Sequence, residues 1–274
     1  MTDSVAGESR AGDDVLYLYG FVPGDAPDPP TELAGLEGTP VETLPFDSFR
    51  AVISRLPAGS YHAAALDTRL GDLTWVPERG LAHERVVSWF VDHTHILPAP
   101  LFTLYSGIEA LRDATGARVE ELRTRLQALD GLREWDLKVG YDADVLAKHA
   151  GELSEQVRAF DAELASSPPG RRYLLEKKRN AVVAGVLGDL ARCEAEALLE
   201  ALAEQARELR ALPLPRTEAD LPVVLYAALL LEHSGEPEAI RRVRDRSEAL
   251  GRIGISIDWS GPWAPYRFIG ANDG

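Results

Sequence analysis

Cysteine is nearly missing. A single residue, Cys193, in a chain of 274 excludes an internal disulfide and a cysteine-based zinc site. It sits in an Ala- and Leu-rich run of helical character and reads as packing filler. Long apolar runs are also missing. The longest, from Leu221 to Leu231, falls well short of the roughly 20 residues a membrane-spanning helix requires, so no membrane partner is expected. Positive charge is scarce: 29 basic side chains stand against 44 acidic ones, for a formal net charge of −15. A general nucleic-acid binder needs a basic footprint to displace counterions, and this balance opposes it. The same excess favours dispersal in water and works against self-association. Residues 1–13 contain no apolar core of a secretory signal and read as a disordered N-terminus, so the chain is expected to be soluble and cytoplasmic. The Gly-x-Ser-x-Gly elbow, the Gly-x-x-x-x-Gly-Lys phosphate loop and a Gly-x-Gly-x-x-Gly after a strand are all absent, and no cofactor is expected.

What the chain does have is enough apolar content, 45%, to bury a core, and a length that suits two domains. Val15–Val22 is β-rich with apolar residues on both faces, as in a buried central strand. Val41–Phe46 and Phe49–Leu56 read as two further strands. Glu78–Asp92 reads as a helix with Leu81, Val86, Trp89 and Phe90 as its apolar stripe. Ile96–Tyr105, with Pro98 and Pro100, reads as an edge strand or irregular extended piece. Ile108–Leu129 follows helical spacing, weakened at Gly116. Asp130-Gly131 is a stop, and the domain boundary is placed there.

In the second half, Trp135–Val139 reads as a strand. Asp142 can cap a helix running from Ala143 to about Ser166. Ser166-Ser167-Pro168-Pro169-Gly170 breaks it, and a second helix runs from about Arg172 to Ala206. At 1.5 Å per residue that helix is about 50 Å long. A strand of average length spans only about 17–20 Å, so part of the hairpin should project or pack on itself. Leu209–Leu214 and Val223–Leu231 read as strands, Pro237–Leu250 as a helix, and Ile253–Trp259 as the last strand. The order β-α-β-β-α-β is the ferredoxin-like order. Past Trp259, Pro262 and Pro265 are expected to end the strand and leave an extended tail carrying Trp263, Tyr266 and Phe268.

Four segments carry a family resemblance. Ser260-Gly261-Pro262-Trp263-Ala264-Pro265-Tyr266-Arg267-Phe268 resembles the "TGPWPPYSF" ending of the gas vesicle GvpL/GvpF family, departing from it at Ser260, Ala264 and Arg267. Tyr17-Leu18-Tyr19-Gly20 is similar to its "YxYGI" strand, Glu134-Trp135-Asp136-Leu137-Lys138-Val139 to its "EWGVKV" strand, and Gly170-Arg171-Arg172-Tyr173-Leu174 to its "GxxYL" helix start. The resemblance implies an α+β protein of two domains: a modified ferredoxin-like N-terminal domain over 14–131, and a ferredoxin-like βαββαβ domain over 132–274. The second would hold an inserted helical hairpin at about 143–208 and an aromatic-proline tail at 260–270. It also implies a non-enzymatic structural or assembly protein of gas vesicles, located in the cytoplasm or on the vesicle. Its partners would be the hydrophobic shell protein GvpA and other vesicle proteins.

Three candidate sites stand out in the residues themselves. His93 and His95, if on a strand, point to one side and can hold zinc with His83 or Asp92 as a third ligand. A small-molecule- or metal-binding α+β protein or enzyme is therefore the reading from another class. Arg171, Arg172, Lys177, Lys178 and Arg179 form a basic patch, either a solvated face paired with neighbouring acids or a dock for an acidic partner. Trp263, Tyr266 and Phe268 either lock the tail onto the protein's own body or offer aromatic anchors to a partner. Ala184-Gly185-Val186-Leu187-Gly188 lies inside a helix and reads as a place where another helix can approach closely.

Overall fold

A computed structural model of the chain describes residues 14–61, 63–215 and 221–269. The stretch read as a disordered N-terminus, residues 1–13, and the last residue of the expected tail, Gly270, lie outside the described residues. The chain divides into two compact units, Met1–Arg133 with Pro262–Gly274, and Glu134–Gly261.

The first unit contains β1 (Asp14–Pro23), β2 (Glu42–Pro45), β3 (Phe49–Pro57), α1 (Ala58–Tyr61), α2 (Ala63–Arg69), α3 (Trp75–His93), β4 (Leu97–Pro98), β5 (Leu104–Tyr105), α4 (Ile108–Gly116) and α5 (Val119–Ala128). Its antiparallel sheet has the order β2-β3-β1-β4, with β5 also paired to β1. The apolar run of β1 has a simple cause: both faces of the strand are covered. Tyr17, Tyr19 and Val22 pack with Val86, Val87 and Phe90 of α3. Leu16, Leu18 and Phe21 pack on the other side with Leu111, Leu122 and Leu126 of α4 and α5. Full burial of each such side chain is worth about 1.5–3 kcal/mol. The register with β3 slips between Leu18 and Gly20. There β1 runs so close to β4 that a Cβ on Gly20 would sit 2.6 Å from the Leu97 carbonyl oxygen. A glycine at the bulge is thus a steric requirement.

The second unit is built from β6 (Leu132–Tyr141), α6 (Ala143–Leu153), α7 (Glu155–Ser166), α8 (Pro169–Ala203), β7 (Ala206–Ala211), β8 (Val223–Glu232), α9 (Glu236–Gly251) and β9 (Ile255–Trp263). The sheet order is β7-β8-β6-β9, with three helices in the first helical position and one in the second. Leu137 and Val139 of β6, Leu229 and Leu231 of β8 and Ile255 of β9 form one core with Leu146, Val157 and Leu198 of the helices.

Several expectations are corrected. The helix expected over 143–166 is two helices, because Ser154 leaves helical geometry (ψ 122°) and its hydroxyl accepts from the Val157 N–H to cap α7. Asp142 caps α6 by accepting from the Asp144 and Val145 N–H groups. The helix expected over 108–129 divides after Gly116 into α4 and α5. The last strand does not stop at Trp259 but runs through Pro262 to Trp263. β9 is the sheet edge, so the N–H that proline lacks can fall on its unpaired side. From Pro262 onward the tail belongs to the first unit, not to the domain that precedes it in sequence. Leu81 points to solvent and leaves the α3 stripe to Val86, Val87 and Phe90. Cys193 is exposed and fills no core.

Candidate functional site

The turn between α7 and α8 follows from its residues. Pro168 holds the extended conformation ahead of α8 and Pro169 occupies the first helical position, where a missing N–H is harmless. The buried positions of α8, among them Leu175, Val183, Leu187, Ala191, Ala195, Leu198 and Leu202, recur every three or four residues, so only one stripe of the helix is packed. Its beginning is tied to α7 by Arg171–Glu163 (2.7 Å) and by Arg179–Asp161. Its end is tied to α9 by Arg246–Glu194 and by Arg242, which donates to the Ala201 carbonyl (3.3 Å).

The other face of α8 is bare. Near the turn, Tyr173 is 70% exposed and Leu174 60% exposed. Around them Arg172, Lys177 and Lys178 are exposed and make no hydrogen bond or ion pair among the described residues. The basic patch therefore divides: Arg171 and Arg179 are paired to acids of α7, while three cations and two apolar side chains face water together. Gly185 meets nothing within 4 Å, which corrects the expectation that its missing side chain serves close helix packing inside this chain.

The tail aromatics have separate fates. Trp263 ends β9 about one-third exposed, and Phe268 is half-buried. Ala264 is fully buried in the first unit's core beside α3 and β1. The Tyr266 hydroxyl meets His83 Nε2 at 2.8 Å, and His83 Nδ1 meets the Tyr17 hydroxyl at 2.6 Å. Tyr17 in turn accepts the Phe102 N–H at 3.3 Å. Burial holds the His83 pKa down to about 4, and burial likewise raises that of Tyr17. A neutral imidazole can accept at one nitrogen and donate at the other, so His83 bridges the β1 tyrosine to the tail. No local pattern marked this link, which spans 183 positions from His83 to Tyr266.

His93 and His95 do not share a strand. His93 closes α3, with its Nδ1 2.7 Å from the Trp89 carbonyl and its ring stacked on Trp89 at 4.2 Å. His95 follows the helix, 3.4 Å from Asp130, on a cleft of about 220 Å³ that Arg123 also lines. Burial lowers its pKa against the opposing pull of Asp130 and Asp25. Among the described residues no group of three or more His, Cys, Asp or Glu is gathered for a metal ion. No helix among them is long and apolar enough to cross a membrane.

With this geometry in place, comparison with known proteins is specific. The family model described as "Gas vesicle synthesis protein GvpL/GvpF" matches residues 15–270. The chain is 30% identical over 254 residues to gas vesicle protein L of a Streptomyces species, covering 86% of this chain and 85% of that one. It is 26% identical over 205 residues to gas vesicle protein L2 of Halobacterium salinarum, covering 68% of this chain and 72% of the relative. The crystal structure of GvpF from an Anabaena species superposes with a TM-score of 0.66 at 19% identity, and that of GvpF from Microcystis aeruginosa with 0.59 at 20%. Each superposition covers 93% of this chain and 98% of the other, and at these identities it speaks to the fold alone.

Proposed function

The chain belongs to the gas vesicle GvpL/GvpF family, and on that premise we propose that it is a non-enzymatic assembly protein that binds the hydrophobic shell protein GvpA, with other vesicle proteins, while vesicles form. A small, very hydrophobic shell subunit, as the family resemblance implies, aggregates before incorporation unless something covers its apolar surface. The covering protein must itself stay dispersed, and a net charge of −15 serves that need. It would act in the cytoplasm and at the growing vesicle.

The observation that carries this reading is the start of α8, where Tyr173 and Leu174 stand in water ringed by unpaired cations. Exposed aromatic and aliphatic residues of this kind act as anchors when a partner desolvates them, and the cations supply orientation. Trp263 and Tyr266 are a lesser candidate surface, since each keeps only about a third of its area exposed. The test is capture of GvpA and the other vesicle proteins by the full chain, repeated with Tyr173→Ala/Leu174→Ala. Loss of one anchor commonly costs 2 kcal/mol or more at a hot spot, so capture of the shell protein should weaken at least about tenfold. Undiminished capture of every partner would move the site off the hairpin.

A further inference from the structure

The first unit carries an open cleft of about 310 Å³ between its sheet and α5. Its floor is apolar. Leu18 and Phe21 of β1, Leu97 of β4 and Leu122 of α5 line it, and each is at most 8% exposed. The tail adds Tyr266 and Ile269 to the wall, and the 2.8 Å link from the Tyr266 hydroxyl to His83 holds that wall in place. Arg118 at the N-cap of α5, Leu122 and Arg125 recur at i, i+4 and i+7, the spacing of one helical face, so a guanidinium flanks the leucine on either side. Both arginine side chains reach solvent, which places them at the mouth. Among the described residues no carboxylate lines this cleft. Two other clefts of the first unit differ in that respect: one is lined by Arg123 and Asp130, the other by Arg55 with Asp14 and Glu109.

The two arginines already show what they can hold. Glu121 accepts from Arg118 Nε and Nη2 at 2.8 Å each, and its Oε1 lies 2.9 Å from Arg125 Nη2. Two guanidiniums thus converge on one carboxylate, the planar recognition for which arginine is better suited than lysine. Two cations against one anion leave the mouth positive in an otherwise acidic protein. Glu121 is itself partly exposed, and surface ion pairs of this kind contribute little, so a second carboxylate can share or take its place at small cost.

We propose that this cleft binds a small carboxylic acid with an apolar body, of the class of a medium-chain fatty acid. The carboxylate sits between Arg118 and Arg125, and the chain covers Leu18, Phe21 and Leu97. An apolar floor with a few convergent polar groups, at about this volume, is the general character of a small-molecule site. At the roughly 30 Å³ a water molecule occupies in the liquid, the cleft holds about ten non-hydrogen atoms, the size of octanoate. The inference does not rest on shell-protein binding.

Calorimetric titration of the full chain with octanoate, kept below its micellar concentration, tests it. Octanoate should bind saturably at one site, and acetate, which lacks the body, and 1-octanol, which lacks the charge, should each bind at least about tenfold more weakly. Arg118→Gln/Arg125→Gln should weaken octanoate at least about tenfold and leave 1-octanol unchanged. Glu121→Gln should tighten octanoate, because the internal competitor for the guanidiniums is gone. Ala99→Leu, which adds bulk to the wall and touches no charge, should weaken octanoate and 1-octanol alike. Absence of saturable binding, octanoate no tighter than acetate or 1-octanol, or arginine or Glu121 variants that bind octanoate as the native chain does would each overturn the proposal. Those variants sit on the solvent side of α5, so they decide the matter even where Ala99→Leu fails to fold.

Discussion

Acidification should weaken the first unit through His83. The residue is only 4% exposed and burial holds its pKa to about 4, against 6.5 for a free imidazole. An unfolded chain takes up this proton as pH falls through 6.5, whereas the folded chain resists until about 4. The unfolded state therefore binds more protons across that window, and stability falls as pH falls. Above 6.5 the contribution is constant; between the two values it declines by about 1.4 kcal/mol per pH unit, and below 4 it is fully lost. The total is about 3 kcal/mol, a large share of the stability of an ordinary domain. The assay is urea denaturation at stepped pH for the native chain and for His83→Gln, which keeps one acceptor and one donor but cannot titrate. His95 and the carboxylates titrate in both proteins, so the difference between the two curves isolates His83. The native chain should lose about 3 kcal/mol more than the variant between the two ends of the window. Parallel curves would refute the reasoning, and with it the neutral imidazole that bridges Tyr17 and Tyr266.

Two further outcomes follow from single positions. Tyr266→Phe removes the partner of His83 Nε2; because Tyr266 is partly exposed and water can reach the gap, the cost should be near the low end for a lost buried hydrogen bond, about 1 kcal/mol, read as a lowered Tm of a few degrees. Gly254 and Gly185 of the second unit should respond in opposite directions. Gly254→Ala forces a side chain at φ 87° with its Cβ 2.7 Å from that of Val145 and should destabilise by about 2–4 kcal/mol, whereas Gly185→Ala fills open space on a helix and should stabilise by about 1 kcal/mol in denaturation midpoints.

The parts of the fold that were legible in sequence are those where a local rule and the tertiary environment agree. β1 reads as a doubly buried strand because both its faces are covered. Pro168-Pro169 announces the start of α8, and Asp142 the start of α6. The break at Ser154 was marked only by a capping residue inside an otherwise continuous helical pattern, and the pattern outweighed it. Cys193 shows the limit of composition as a guide: the run around it is rich in Ala and Leu, yet the packed stripe passes through Ala191, Ala195 and Leu198 and leaves position 193 outside. At the candidate site the basic cluster was visible, but its division into paired and unpaired members depends on where α7 places Asp161 and Glu163. The docking of the tail through Tyr266 and His83 had no local signal, since neither residue's neighbours encode the other's position.

The most direct test of the account is site-specific photo-crosslinking. A photoreactive side chain replaces Tyr173 at the start of α8 or, as a control, Leu73, an exposed leucine of the first unit (90%) outside the hairpin. With GvpA present, the account predicts crosslinks to the shell protein from position 173 and none from position 73. Crosslinks from position 73 alone, or from neither position while GvpA is still held in solution, would contradict it.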